Sequence, residues 1–219
     1  RSRYIDVASG AERVRRCNWG GSVVDDMAGE GTEAGTLAGL LSRAAAVGSK
    51  PAPVHLWNPP DCGDIPMRIG ADGAWHYNGT PIARTRMVRL FASILRREPD
   101  GRFVLVTPVE KVGIAVDDAP FQAVEMAVEG GEDDPTLVLR TNVGDVVRAG
   151  RDHPIRFAIE KGTGGLIPYV AVRGGLDARL TRALALDLAE RSEPAGGDLV
   201  VKSGGAHFPV PSSAVEQPQ

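Results

Sequence analysis

The chain has 219 residues, of which 42% are hydrophobic, and it carries a formal net charge of -3. A chain of this length and apolar content can bury one large core or two small ones, which excludes disorder as its general state. Binding to nucleic acid or to an anionic membrane usually draws on a clear excess of Lys and Arg, which this chain lacks. We therefore expect neither partner.

The cellular compartment and the character of the two chain ends can be predicted from the same sequence. No run approaches the roughly 18 to 20 apolar residues of a membrane helix, and residues 1–26 lack the apolar segment of a secretory signal. Cys17 and Cys62 are too few and too far apart in sequence to predict a disulfide framework or a metal clip, which fits a reducing compartment. We expect a cytoplasmic protein whose residues 1–26 lie upstream of the working start or are disordered, with a disordered tail at 211–219.

The first elements are a helix and a loop. Leu37, Leu40, Leu41 and Ala44 recur at helical spacing and predict a short amphipathic helix that ends near Gly48. The next stretch, PAPVHLWNPPDCGDIP, contains too many prolines for a helix or an interior strand, because proline lacks an amide donor. It predicts a shaped loop.

A small antiparallel meander follows, with turns at Asp72-Gly73 and Asn78-Gly79. The stretch TRMVRLFASILRRE then predicts a helix whose apolar stripe faces the core and whose arginines lie on the opposite side. We interpret that side as a solvated face, because Glu98 and Asp100 adjoin it. The arginines concerned are Arg86, Arg89, Arg96 and Arg97.

Strand-length segments dominate the middle of the chain: FVLVT, VEKVGIAV, FQAVEMAV and TLVLRT, separated by Asp, Gly and Pro signals. The last third returns to a strand, a turn, a helix and a strand, in the order already seen after Trp75, which predicts duplication of a strand-helix-strand unit. The expected fold is α+β with mostly antiparallel sheet, in two lobes. Their predicted bounds are residues 27–107 and 108–210.

The ordered motifs WNPPDCGDI, GTPI, LVTPVEKV, VDDAPF and TNVGD resemble the uncharacterised bacterial family called domain of unknown function 1285. The resemblance covers roughly Pro53 to Leu188 and continues through PYVAVR and GLDARL. It implies a duplicated α+β core whose C-terminal half is loosely similar to pleckstrin-homology domains. It also implies a nucleotide-like ligand near the domain interface and a role in signalling.

Polar and aromatic side chains lie beside several predicted strands, where ligand sites usually form. We expect arginines to neutralise an anionic ligand, aromatic rings to stack on it, and the remaining side chains to recognise its polar edges. Arg84 and Arg173 would converge in a pocket between the lobes. The candidate binding residues are Arg68, Trp75, Tyr77, Arg84, Thr107, Glu110, Lys111, Asp117, Asp118, Asn142, Asp145, Tyr169 and Arg173.

Plainer interpretations stay open for these residues. The Asp-containing segments are also typical of turns whose side chains bond their own backbone, and Glu110 with Lys111 could form an exposed ion pair. Trp75 and Tyr77 alternate on one face of a strand, and core packing is the commoner role of such a face.

Catalytic motifs are not found. The segment KGTGG has its lysine before the glycines, which is not the order of a nucleotide-binding P-loop, and the four histidines lack metal-ligand spacing. We expect a non-catalytic ligand-binding or sensor protein with no cofactor and no bound metal. The alternatives are a metal-dependent hydrolase using Asp61 with Asp64 or Asp117 with Asp118, and a protein-interaction module.

Overall fold

The computed structural model describes residues 39–40, 51–131 and 134–211. The chain divides into two compact units, the first containing residues up to Ile69 together with Ala74–Val116, and the second containing Gly70–Gly73 and residues from Asp117 onward. Gly39 and Leu40 are helical, and the rest of the helix predicted around Leu37 to Ala44 lies outside the described residues. The predictions for residues 1–26 and for the tail after residue 211 lie outside them as well.

The first unit is built on a six-stranded sheet with the strand order β3-β2-β1-β6-β5-β4. The central strands β1 and β6 are parallel, and every other neighbouring pair is antiparallel. The strands are β1 (Asp61–Ile69), β2 (Trp75–Tyr77), β3 (Thr80–Pro81), β4 (Leu95–Arg97), β5 (Phe103–Val106) and β6 (Lys111–Val116).

The second unit contains a six-stranded sheet with the order β10-β11-β12-β7-β8-β9. Here β7 and β12 form the parallel central pair, and the remaining pairs are antiparallel. The strands are β7 (Phe121–Glu129), β8 (Thr136–Thr141), β9 (Val146–Arg148), β10 (Ile155–Ile159), β11 (Leu166–Arg173) and β12 (Leu176–Leu180).

A smaller antiparallel sheet completes the second unit, with β14 between its two neighbours. Besides the helical residues Gly39 and Leu40, the described ranges contain one further α-helix in each unit and a short 3-10 helix at Val54–Leu56 in the first unit. These remaining elements are α1 (Thr85–Ser93), α2 (Arg182–Glu190), β13 (Glu193–Ala195), β14 (Asp198–Ser203) and β15 (Ala206–Val210).

The turn predicted at Asn78-Gly79 is confirmed and joins β2 to β3. Asn78 has φ 49° and Gly79 has φ 75°, the left-handed conformations that a two-residue hairpin turn requires at both positions. Asn and Gly reach this region at the lowest cost of all residues. The local sequence therefore fixes the register that pairs Tyr77 with Thr80.

The helix predicted over TRMVRLFASILRRE is shorter than expected. α1 ends at Ser93, and Leu95–Arg97 forms strand β4, which pairs with β5 through Leu95 and Leu105. Because this pairing completes an edge of the sheet, tertiary contacts override the helical periodicity of the segment. Arg96 and Arg97 are consequently not part of the helix.

The loop predicted to reach Pro66 is also shorter, because β1 begins at Asp61. The pairing of β1 with β6 shifts register on both sides of Asp64, so the ladder is irregular where Pro66 lacks an amide donor. Gly63 takes φ 83° within the same stretch. The irregularity lets a proline-containing segment occupy a central strand.

Separate apolar cores hold the two units. Trp75 and Phe91 stack in the first, with ring centroids 6.1 Å apart, beside fully buried Ile69. Phe121 and Leu188 are fully buried in the second. Mostly antiparallel sheet with few helices agrees with the predicted α+β class.

One finding concerns membranes: among the described residues no helix is long and apolar enough to cross a bilayer.

Candidate functional site

A row of polar side chains crosses the second sheet on one face. Arg156 pairs with Tyr169 across β10 and β11, Tyr169 pairs with Arg179 across β11 and β12, and Arg179 pairs with Gln122 on β7. Directly opposed residues of neighbouring strands point to the same face of a sheet. The opposite face carries the apolar row of Ile155, Val170, Ala178 and Phe121.

Hydrogen bonds join this row to two carboxylates. Tyr169 donates its hydroxyl proton to Asp118 Oδ1 at 2.7 Å, and Arg179 Nη1 donates to Asp118 Oδ2 at 3.0 Å. Arg156 donates through Nε and Nη2 to Asp177 Oδ2, at 2.9 and 2.7 Å. We call these five residues the Tyr169 cluster.

The centre of the cluster is a stacked pair. The Arg156 guanidinium carbon lies 3.9 Å from the centroid of the Tyr169 ring, which is the geometry of a cation–π contact. Tyr169 is only 4% exposed, whereas the Arg156 side chain is 54% exposed. One surface of the guanidinium therefore covers the tyrosine while the side chain still reaches solvent.

Burial, together with the hydrogen bond to Asp118, raises the pKa of Tyr169 to about 12. Both effects disfavour the phenolate, since burial penalises its charge and Asp118 is itself negative. The phenol therefore stays neutral and donates at any physiological pH. This pKa gives Tyr169 the chemistry of an anchor and not that of a general base.

Arg173, Asp145 and Asn142 lie in a second polar group of the same unit. Arg173 forms an ion pair with Asp145, and its guanidinium carbon lies 4.8 Å from the centroid of the Phe121 ring. Asn142 accepts a hydrogen bond on Oδ1 from the backbone N–H of Gln122 at 3.1 Å. Arg173, which was predicted to bind an anionic ligand, thus already has a carboxylate partner in Asp145.

Most predicted residues of the first unit are buried or paired. Trp75 is 2% exposed and belongs to the core, so its ring offers no open stacking surface. Thr107 and Glu110 close a tight turn, in which the Thr107 amide donates to the Glu110 carbonyl at 2.9 Å, and both residues are buried. Lys111 lies 3.6 Å from Glu98.

The remaining predicted residues are not members of the Tyr169 cluster. Arg68 is exposed on β1 opposite His76, Tyr77 is half-buried on β2, and Arg84 is exposed immediately before α1. Asp117 is exposed beside Asp118. The convergence of Arg84 and Arg173 on one ligand stays a prediction.

The carboxylates suggested for a hydrolase have basic partners. Arg102 contacts Asp61 at 2.6 Å and Asp64 at 3.8 Å. Burial raises the pKa of Asp61, but hydrogen bonds from the Gly63 amide and Arg102 outweigh it, and the resulting pKa is lowered. No cluster of three or more potential metal ligands occurs within residues 39–40, 51–131 and 134–211.

Sequence reasoning found two members of the Tyr169 cluster, Asp118 and Tyr169, and missed the other three. Asp177 and Arg179 alternate with the buried positions of β12, so the period-two pattern of LDARL contains the signal. Arg156 has no comparable signal, because its role depends on the strand that pairs beside it.

The fold and the site thus define a two-unit α+β protein whose second sheet has a polar face with arginines. Family models identify it further: residues 52–119 match "Domain of unknown function (DUF1285), N-terminal domain" and residues 120–210 match "Protein of unknown function (DUF1285), C-terminal domain". The chain belongs to the DUF1285 family, as the resemblance of its motifs implies.

A solved structure agrees with this assignment. A crystal structure of a DUF1285 family protein from Silicibacter pomeroyi DSS-3 is 53% identical, with a TM-score of 0.74 over 78% of this chain and 94% of that chain. Another DUF1285 family protein, from Shewanella baltica OS155, is 29% identical over 57% of this chain and 91% of that chain, with a TM-score of 0.46. No curated protein matches the chain.

Proposed function

We propose that this protein is a non-catalytic small-ligand-binding protein, and that the Tyr169 cluster binds a planar, anionic, nucleotide-like ligand. The observation that carries the proposal is the Arg156–Tyr169 stack. A guanidinium held flat on one aromatic ring presents its second surface to another planar group, and arginine planes are a common platform for bases. Asp177 fixes the guanidinium by its edge, which leaves that surface unobstructed by the bond.

Arg179 supplies hydrogen-bond donors for the anionic part of the ligand. Its side chain is 28% exposed, and among the described contacts it gives only Nη1 to Asp118. A guanidinium has five N–H donors arranged as a planar fork that matches phosphate oxygens. The Nη2 edge of Arg179 is therefore suited to a phosphate while Nη1 stays bound to Asp118.

The non-catalytic part of the proposal rests on how the carboxylates are bonded. Asp118 accepts hydrogen bonds on both oxygens, from Tyr169 and Arg179, and Asp177 accepts two from Arg156. Asp118, bonded on both oxygens, orients its partners and lacks a free oxygen to take a proton from a substrate, and Asp177 orients Arg156 through one oxygen. Binding without conversion fits a sensor with a role in signalling, in the cytoplasm.

We also propose that the two six-stranded sheets arose by duplication. Both have the same strand order along the chain and the same single parallel pair at the centre, β1 with β6 and β7 with β12. This correspondence differs from the strand-helix-strand repeat predicted from the sequence, because α1 lies between β3 and β4 whereas α2 follows β12. The pleckstrin-homology-like character of the second half stays a prediction.

A calorimetric and thermal-shift comparison tests the ligand proposal. Nucleoside phosphates, nucleosides and inorganic phosphate are each titrated into the full chain, because a ligand that binds the native state raises its melting temperature. We expect nucleoside phosphates to bind more tightly than either fragment. Arg156→Lys keeps the charge but removes the planar surface, and we expect it to weaken binding about tenfold.

Arg148→Lys is the matched control, since Arg148 is an exposed arginine on the same sheet that pairs with Glu129. It should leave the affinity unchanged. The proposal is wrong if no compound of the panel shifts the melting temperature, or if Arg156→Lys and Arg148→Lys bind the best compound equally well.

A further inference from the structure

A group of exposed arginines lies at the N-terminal end of α1 and within the helix, in the first unit. Arg84 precedes the helix, and Arg86 and Arg89 lie within it, one turn apart. All three are exposed. Within the part of the chain that the structure describes, none of them forms an ion pair or a hydrogen bond through its side chain. We call these three residues the α1 arginine face.

The acidic residues expected to balance this face are engaged elsewhere. Glu98 accepts hydrogen bonds from Arg96 and lies 3.6 Å from Lys111. Asp100 lies 3.5 Å from Arg102. The exposure of Arg86 and Arg89 agrees with the predicted solvated face, whereas the adjoining Glu98 and Asp100 pair with other cations.

These arginines lie where the helix dipole disfavours positive charge. The N-terminal turn of a helix carries partial positive charge, which favours acidic side chains, yet the first turn of α1 contains none. A local rule that the described residues break without a compensating contact is typical of a functional surface. An external anion would supply the missing compensation.

We propose that the α1 arginine face docks an acidic, Asp- and Glu-containing segment of a partner protein. Three positive charges at the start of a nine-residue helix and within it match a short run of carboxylates. Duplex nucleic acid is usually bound by a broad basic surface that makes roughly six to ten phosphate contacts. The chain as a whole is acidic, at -3, which disfavours long polyanions.

The apolar residues between the arginines point to the same partner. Met87, Val88 and Leu90 are half-buried and offer aliphatic surface beside the charges. The helix has one aromatic residue, Phe91, which is fully buried and cannot stack on a base. Charge beside aliphatic surface suits a peptide with alternating acidic and apolar side chains.

The test is fluorescence anisotropy with the full chain and a short labelled peptide of Glu, Asp and Leu. We expect saturable binding that weakens as salt is raised, since exposed ion pairs are screened. The triple variant Arg84→Gln, Arg86→Gln, Arg89→Gln should bind at least about tenfold more weakly, because each exposed charge pair contributes modestly and the three add. The single variant Arg89→Gln should show a partial loss.

A control variant removes the same charge from other exposed arginines that have no described partner, and its affinity should stay within about twofold of the unsubstituted chain. Its substitutions are Arg151→Gln, Arg182→Gln and Arg191→Gln. Equal loss in both triple variants would show that net charge alone matters and would overturn the proposal. So would absence of peptide binding, or tighter binding of an oligonucleotide of equal charge.

Discussion

The two units share one strand order but use their sheets differently. Strands β6 and β12 occupy equivalent positions, yet β6 is buried at three successive residues from Val112 to Ile114, whereas β12 alternates buried and half-buried positions. β6 still has accessible positions, since Lys111 is half-buried and Ala115 is exposed, and the first unit has its own polar contacts between Arg102 and the carboxylates Asp61 and Asp64. The shared topology therefore sets how the strands pair but not which side chains reach solvent, which depends on the residues of each strand and on what covers them.

The largest expected effect compares the hairpin turns of the two units. Gly204 has φ 55°, and a Cβ added there would lie 2.7 Å from the Ala149 carbonyl oxygen. We expect Gly204→Ala to lower the free energy of unfolding by about 2 to 4 kcal/mol, because backbone strain and a backbone clash add. Urea denaturation followed by circular dichroism measures it.

Gly79→Ala in the first unit separates these two causes. Gly79 has φ 75°, and nothing lies within 4 Å of an added Cβ. Only the conformational cost remains, about 1 kcal/mol. Equal losses for the two glycine variants would mean that the close approach of the third sheet to Ala149 contributes nothing to the second unit.

The next effect concerns a half-buried arginine of the first unit. Arg96 donates through Nη1 to the carbonyls of Val54 and Trp57, both at 2.7 Å, and pairs with Glu98. Arg96→Ala leaves the carbonyls and a carboxylate without this partner, and we expect a loss of about 2 kcal/mol in the free energy of unfolding. Chemical denaturation measures it.

The comparison residue in the second unit is Arg148, whose exposed pair with Glu129 should contribute less than about 0.5 kcal/mol. Arg148→Ala is therefore expected to be nearly neutral. If Arg96→Ala were equally neutral, the 3-10 helix at Val54–Leu56 would not depend on the arginine.

A pH dependence in the second unit is expected to be smaller than the effects of Gly204→Ala and Arg96→Ala. The pKa of Tyr169 rises from 10.0 to about 12 on folding, so the native state favours the protonated phenol. The resulting stabilisation is fully present below pH 10 and is lost as pH rises toward 12. We expect the stability advantage of the unsubstituted chain over Tyr169→Phe to shrink by about 1 to 2 kcal/mol across this range.

Denaturation at several alkaline pH values tests this dependence, with the absorbance of tyrosinate as an independent measure of ionisation. An advantage that stays constant from pH 9 to pH 12 would show that the hydroxyl of Tyr169 is no more buried in the native state than in the unfolded chain.

Local signals predicted most of the strands and the tightest turn. The alternation of TLVLRT gave β8, and Asn78-Gly79 gave the hairpin between β2 and β3, because these patterns act through neighbouring residues. The helix end at Ser93 could not be read in the same way. Leu95 continues the helical periodicity, and only its pairing with Leu105 makes it a strand residue.

The same distinction between local patterns and tertiary contacts applies to the candidate binding residues. Asp118 and Tyr169 were predicted from their residue types beside strands. Arg156 lies on β10 and Tyr169 on β11, and only the pairing of these strands brings Arg156 over the ring. Arg173 was predicted to neutralise an anionic ligand, and in the fold it forms an ion pair with Asp145. Residue type predicts which groups can bind a ligand, whereas strand pairing decides which of them are already bound to each other.

By itself, the sequence determined the α+β class, the family, the mostly antiparallel strands and the turn at Asn78-Gly79, since each depends on composition or on residues close in the chain. The tertiary structure alone decided the parallel central pairs, the end of α1, the Arg156–Tyr169 stack and the neutralisation of Glu98 by Arg96 and Lys111. These features join residues of different elements. Their free energy comes from contacts that form only when the chain folds, so no local pattern encodes them.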